Sequence, residues 1–378
     1  MRRVKILTQP HIICYMCGCV ESPLSNDLSR SNVKHACILS SPKPTSILNA
    51  VLFRVYLKKS KPEPRGRAGI RQNLFPYVLR SNMPDPMYTT FKANDGEELV
   101  YQSHGHPDKI SNNKILILIH GFTGSSQYFI RNFADLAREH IVIAPDLRGH
   151  GKSTKARHGY HVARLAADLR DLLELQLRPN YPGADYVGVG CSLGAAVLWT
   201  YSELFDSKHF AGMVFVDQAP LQDYIPDSWS SSQGNYGVHD STSLAMAQAT
   251  MKFEPDEFYR GLVQGCLGYR FQPLEQEKHI SNTEAQEDEE FFVNISRQGS
   301  PWWFGKLLAN HTSYDHRDTI KNLVKCPSMV LAAKRSGSFP VEGLLETIRL
   351  VNEGRGMNLA FGKVVDSGHC RSLSLHCC

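Results

Sequence analysis

Asp185-Tyr-Val-Gly-Val-Gly-Cys-Ser-Leu-Gly-Ala-Ala-Val-Leu-Trp-Thr200 holds an extended run, a break and a helix in immediate succession. The Val and Gly residues read as a buried strand, and Ala195 to Tyr201 as a helix. Between them Gly190-Cys191-Ser192-Leu193-Gly194 has the G-x-S-x-G form, in the strand-then-helix setting that gives the pattern meaning. A strand that turns into a helix within two residues forces its middle residue into a strained conformation, expected at positive φ. The two glycines remove side chains that would collide where strand and helix cross. Ser192 is therefore expected to project its hydroxyl as a nucleophile. The Leu193 N–H, at the helix N-terminus, is placed to stabilise an oxyanion. The plainer alternative is a tight Gly-Ser turn.

Outward from this turn, strand and helix signals alternate. Lys114-Ile-Leu-Ile-Leu-Ile119 is a continuous apolar run, as expected of a strand buried on both faces, and it ends in His120-Gly121-Phe122-Thr123-Gly124. Ser126 to His140 has helical spacing, with Phe129, Phe133 and Leu136 on one side. His140-Ile-Val-Ile-Ala144 is a second buried strand, closing in Pro145-Asp-Leu-Arg-Gly-His-Gly151. Val162, Leu165, Ala166, Leu169, Leu172 and Leu173 follow the spacing of an amphipathic helix. Further strands are expected at Phe210 to Val216, Ser328 to Ala333 and Gly362 to Asp366. Upstream, Tyr88 to Ala93 and Glu98 to Ser103 read as strands about an Asn94-Asp95-Gly96 turn. The alternation predicts an α/β fold: a mostly parallel sheet with helices on both faces. Residues 221 to about 320 interrupt it with helices rich in aromatic residues, among them Trp229, Trp302, Trp303, Phe253, Phe258, Phe291 and Phe292. Glu287-Asp288-Glu289-Glu290 within this insert reads as a solvated helix face.

Length and composition bound the class. A chain of 378 residues can bury a large core and carry an insert. The 42% apolar fraction is that of a globular protein, and no apolar run reaches the ~20 residues of a membrane span. The formal charge of +5 is unevenly placed. Residues 1–86 hold 14 basic and 4 acidic residues, leaving 28 basic against 33 acidic in the rest. The basic balance thus belongs to the N-terminal segment and does not indicate nucleic-acid binding. That segment lacks a core-forming period and reads as a disordered or non-native extension, with a natural domain start at Met87. The cysteines do not form a disulfide framework, which fits a reducing, cytoplasmic setting, although the basic extension also fits a transit segment. Cys14, Cys17 and Cys19 lack a second ligand pair at zinc-site spacing, so no metal is expected.

An apolar strand into His-Gly-Phe, a strand into Pro-Asp-Leu-Arg-Gly-His-Gly, and Gly-Cys-Ser-Leu-Gly together resemble the α/β-hydrolase fold superfamily. The resemblance is to its capped esterase, lactonase and haloperoxidase-like branch, similar to fungal α/β hydrolases, and spans about residues 87–370. It implies a first core part at 87–220, a helical cap at 221–320 and a second core part at 321–378. After the last strand only a short tail follows, so the helix that usually ends the fold is expected to be missing. Asp315-His316-Arg317-Asp318 resembles the ion-paired segment with which related caps return to the core.

The resemblance also distributes roles. Phe122 would give the second oxyanion N–H beside that of Leu193, and His369, just after the last strand, would be the base. The acid usually lies after the strand that follows the cap, about four residues before a proline. Here that place is held by Ser336, ahead of Pro340. Some members carry the acid one strand earlier, where this chain has Asp217. Asp217 is therefore the expected partner of His369, and Ser336 is expected to matter little. An Asp217 that only caps its turn, or Glu342 as the acid, are the alternatives. The implied activity is hydrolysis of an ester or lactone of a small to medium apolar substrate, without a cofactor. Haloperoxidase or carbon–carbon hydrolase chemistry on the same residues, or a non-catalytic small-molecule receptor, are the competing readings.

Overall fold

In the computed structural model, residues 87–105, 114–267 and 282–369 are described. The expectations for residues 1–86, including Cys14, Cys17 and Cys19, and for the tail after His369 lie outside them.

Eight strands form one sheet: β1 (Met87–Lys92), β2 (Glu98–His104), β3 (Lys114–Ile119), β4 (Ile141–Asp146), β5 (Asp185–Cys191), β6 (Gly212–Val216), β7 (Ser328–Ala333) and β8 (Ala360–Val365). Their spatial order is β1-β2-β4-β3-β5-β6-β7-β8. β1 pairs antiparallel with β2 about a turn in which Gly96 has φ 87°, and β2 pairs antiparallel with β4. All remaining pairings are parallel. The apolar run of β3 explains its central place. Ile115, Ile117 and Ile119 enter the core on one face, and Leu116 and Leu118 enter that on the other. A strand flanked by parallel neighbours must bury both faces, so strict alternation gives way to continuous apolarity.

The face of Ile115 is covered by α2 (Val162–Leu172), α3 (Leu193–Phe205) and α9 (Val341–Arg355), the opposite face by α1 (Ile130–Leu136). The helix expected over 126–140 is shorter than its spacing suggests. Ser126–Phe129 is a 3₁₀ turn, because Ser125 caps Gln127 N and the Asp146 carboxylate draws in Ser126 N at 2.6 Å. Phe129, Phe133 and Leu136 are nonetheless all buried, as the spacing predicts.

Between β6 and β7 lie α4 (Ser241–Phe253), α5 (Pro255–Cys266), α6 (Asn282–Ser296), α7 (Pro301–Ser313) and α8 (Arg317–Leu323). The insert's aromatic residues divide: Trp229, Trp303, Phe258 and Phe292 are buried, whereas Trp302 is 56% and Phe253 70% exposed. The acidic face of α6 is more than solvated. Asp288 pairs with Arg131, and Glu290 with Arg260 and Arg297. The return to the core is ion-paired as expected, Arg317 meeting Asp315 at 2.7 Å.

Candidate active site

The turn after β5 has the strain its sequence predicts. Ser192 adopts φ 50° and ψ −120° between β5 and α3. Its N–H continues the β5–β6 ladder to Val216 O at 2.8 Å, which holds the strained residue in place. A Cβ on Gly190 would lie 2.4 Å from the Gly194 carbonyl carbon, and one on Gly194 would lie 2.2 Å from Ile119 O. Neither contact is possible for a real side chain, so the two glycines let α3 cross the ends of β5 and β3 this closely. The loop after β3 also approaches the serine, since a Cβ on Gly121 would come within 3.1 Å of Ser192 Cβ.

Asp217 is the corresponding residue one strand over. Cys191 and Val216 are register partners, so Ser192 and Asp217 leave β5 and β6 side by side. Asp217 too has φ 50°, and its N–H reaches Leu331 O on β7 at 2.9 Å. Its side chain has no exposed surface and accepts three hydrogen bonds. Oδ1 takes the Ala333 N–H at 2.8 Å, while Oδ2 takes the Ser336 hydroxyl at 2.6 Å and His369 Nδ1 at 2.5 Å. Of the expected alternatives, the geometry brings Asp217, and not Glu342, against His369.

His369 reaches this point from the loop after β8. Lys334 N bonds Val365 O at 2.9 Å and Arg335 N bonds Ser367 O at 3.0 Å, so the loops after β7 and β8 are stitched together. The buried Arg335 adds a 2.9 Å ion pair with Asp366. The Phe339 ring lies 5.8 Å from the imidazole. Ser192 Oγ stands 3.4 Å from Gln218 Oε1. Arg335, Phe339 and Gln218 were not singled out in the sequence, where an Arg, a Phe and a Gln in loops carry no spacing signal. Ser336, expected to matter little, donates its hydroxyl to the same Asp217 oxygen that meets His369.

The Phe122 and Leu193 N–H groups donate to no backbone carbonyl among the described residues. His120 orders the loop that carries Phe122. Its Nε2 accepts from Leu147 N at 3.0 Å, so its Nδ1 is the protonated nitrogen and donates to Gly121 O at 2.8 Å. Burial lowers its pKa and keeps it neutral. Asp146 fixes the next loop, accepting from Ser126 N and Lys152 N. Aromatic side chains of the insert pack on both loops. Phe304 lies 5.5 Å from Phe122 and 4.7 Å from His150, ring to ring, and Phe292 lies 5.2 Å from Tyr128. Thr123 Oγ1 and Ser296 Oγ meet at 2.9 Å, tying α6 to the same loop.

The fold is shared with solved structures. An esterase from Exiguobacterium antarcticum superposes with a TM-score of 0.61 at 16% identity, over 75% of this chain and 93% of that one. A bromoperoxidase from Bacillus anthracis does so with a TM-score of 0.61 at 17% identity, over 76% and 95%. At these identities the likeness is one of fold. In sequence, 60 residues are 47% identical to an uncharacterized protein of Mycobacterium tuberculosis, covering 16% of this chain and 18% of that protein. A soluble epoxide hydrolase of Corynebacterium sp. is 32% identical over 102 residues, or 27% and 33% of the two chains. The matches thus span a third or less of these relatives' length. The family description "alpha/beta hydrolase fold" matches residues 114–371, well over half of the chain. On that match, and with the sheet order and strained turn after β5 described above, the chain belongs to the α/β-hydrolase fold family.

Proposed function

We propose that this protein is a serine hydrolase acting on an ester or lactone of a small to medium apolar substrate. Ser192 Oγ attacks the carbonyl carbon, and His369 Nε2 takes the hydroxyl proton. Asp217 holds the imidazole in the tautomer with Nδ1 protonated and stabilises the imidazolium that forms. The negative charge developing on the carbonyl oxygen is met by the Phe122 and Leu193 N–H groups. His369 then returns its proton to the departing alkoxide. Water, activated by the same imidazole, hydrolyses the acyl-enzyme and regenerates Ser192.

The observation that carries this reading is the 2.5 Å contact between His369 Nδ1 and Asp217 Oδ2, next to a serine held at positive φ. A buried carboxylate against one imidazole nitrogen leaves the other to act as base. For attack, the Ser192 hydroxyl turns from Gln218 toward that nitrogen. Support for an apolar substrate comes from the rings that begin at Phe122 and continue through Phe304 and Tyr259. The helices between β6 and β7 act as a cap that excludes water. A route through a carboxylate nucleophile, as an epoxide-opening enzyme would need, is disfavoured by the neutral side chain of Ser192.

The test is labelling by a fluorophosphonate probe together with turnover of a p-nitrophenyl ester. Wild-type protein labels and turns over, and Ser192→Ala, folded, does neither. A Ser192→Ala variant that keeps more than a small fraction of either activity would remove Ser192 from this role. Folded wild-type protein that fails to label would favour a receptor.

A further inference from the structure

The hydrogen bonds around Asp217 include a donor for which the reaction above has no use. Ser336 Oγ lies 2.6 Å from Asp217 Oδ2, the oxygen that also meets His369. The same Oγ lies 3.2 Å from Ser338 N and 3.2 Å from Phe339 N. A hydroxyl has one proton and two lone pairs. Two backbone N–H groups can only donate, so they take the lone pairs. The remaining proton faces a carboxylate, which can only accept. The direction of this bond therefore follows from its partners.

We infer that Ser336 is a positioning residue for Asp217, its hydroxyl proton pinning Oδ2 so that the carboxylate faces His369 in a single orientation. The inference rests on the serine-hydrolase reading of the site. The Ala333 N–H holds Oδ1 from the other side, so rotation of the carboxylate would break bonds at both oxygens. The two anchors come from the end of β7 and the loop after it, whereas Asp217 itself leaves β6. Ser336 also shapes the loop that presents the Phe339 ring to His369. That loop is clamped to the insert in turn. Gly337 N bonds Gly265 O in α5 at 3.1 Å, and a Cβ on Gly337 would lie 2.4 Å from that oxygen. The orientation of the acid is thereby tied to the seating of α5.

Ser336→Ala and Ser336→Thr are compared with wild type and Ser192→Ala on the same p-nitrophenyl ester, with full pH profiles and thermal midpoints. In folded Ser336→Ala, kcat falls about tenfold, the scale of one hydrogen bond to a charged group, while KM changes little. The acid limb of kcat/KM moves to higher pH, because a carboxylate with one donor fewer holds the imidazolium more strongly. Ser336→Thr, which keeps the hydroxyl, restores both. A purely structural role would lower the thermal midpoint and leave the limb in place. Wild-type kcat with an unmoved limb in Ser336→Ala overturns the inference, as does a loss that threonine does not repair. Should Ser336→Ala not fold, the comparison passes to Ser336→Thr and Ser336→Cys, whose thiol is a weak donor. A displaced limb in Ser336→Cys alone then supports the inference, and equal behaviour of the two overturns it. Activity remaining in Ser192→Ala would instead strike the serine-hydrolase reading itself, so the two failures are distinct.

Discussion

Ser192, Thr123 and Asp217 have positive φ without being glycine; Ser192 and Asp217 immediately follow the parallel strands β5 and β6, and Thr123 lies in the loop after β3. Strain of this kind persists only where the surroundings over-determine it. Here the ladder bonds of Ser192 N and Asp217 N supply the constraint. Two outcomes follow for single side chains. Asp217→Asn presents an amide where two donors converge, and His369 loses the acceptor that sets its tautomer. Its kcat is expected to fall by about three orders of magnitude or more with the fold retained, measured on protein whose circular dichroism matches wild type. Ser336→Asp should lower turnover, although it installs the family's usual acid at its usual place. Two carboxylates within hydrogen-bond distance cannot both ionise, and the new one would compete with His369 for Asp217. A gain in kcat for Ser336→Asp would show that the position, and not Asp217, is the seat of the acid.

Elements meet through buried charge as well as apolar contact. Arg148, in the loop after β4, is fully buried and joins Asp168 of α2 at 2.8 Å to Asp95 of the β1–β2 turn at 2.9 Å. Arg164 adds a second cation to Asp168 at 2.8 Å. The network joins the β1–β2 turn to α2, beside the apolar core that Phe91, Leu99 and Tyr101 share with Leu165 and Leu169. Removing Arg148 leaves the buried Asp168 carboxylate with one cation fewer, while Asp95 keeps its contact with water. Arg148→Ala is expected to cost about 3 kcal/mol in urea unfolding, the low end for a broken buried pair because Arg164 still faces Asp168. The deficit should shrink at acid pH. Burial already raises the Asp168 carboxyl against the lowering effect of its two arginines, and losing one lets it protonate more readily. A loss below about 0.5 kcal/mol, the range of an ordinary surface substitution, would show the network to be dispensable.

The molecule as a whole carries several imidazoles held neutral by burial. His311 and His316 are pushed down to about 3 and His104 to about 4, and His120 and His150 are lowered too. Both ring nitrogens of His316 lack a hydrogen-bond partner among the described residues, and its ring stacks 4.5 Å from Tyr314 and lies 5.3 Å from Trp199. The sign follows from proton uptake. Below the ordinary value of 6.5 the unfolded chain binds protons at these sites and the folded chain does not, down to about pH 3 for the lowest. Stability therefore falls as pH drops through this window, by about 1.4 kcal/mol per pH unit for each fully neutral imidazole. The thermal midpoint should decline from pH 7 to pH 5, and His316→Phe should flatten that decline. An unchanged slope in His316→Phe would mean that this ring finds a proton partner in the folded state.

Local physics was enough to read the strained serine, the glycines that permit it and the sheet of buried strands. Each is written within a few consecutive residues: a G-x-S-x-G between strand and helix, or an apolar run such as Lys114 to Ile119. The 3₁₀ turn before α1 was not legible, because the carboxylate that tightens it, Asp146, arrives from another strand. The partner of His369 was legible only as a choice. Asp217 lies 152 residues from His369 and 119 from Ser336, and no local pattern says which loops will meet. Parallel register decided it, by bringing the ends of β6, β7 and β8 side by side, so that one buried carboxylate receives an imidazole, a hydroxyl and a backbone N–H at once. Hydrogen bonds between distant loops depend on that three-dimensional convergence, whereas an apolar run, or a G-x-S-x-G between strand and helix, is written in consecutive residues.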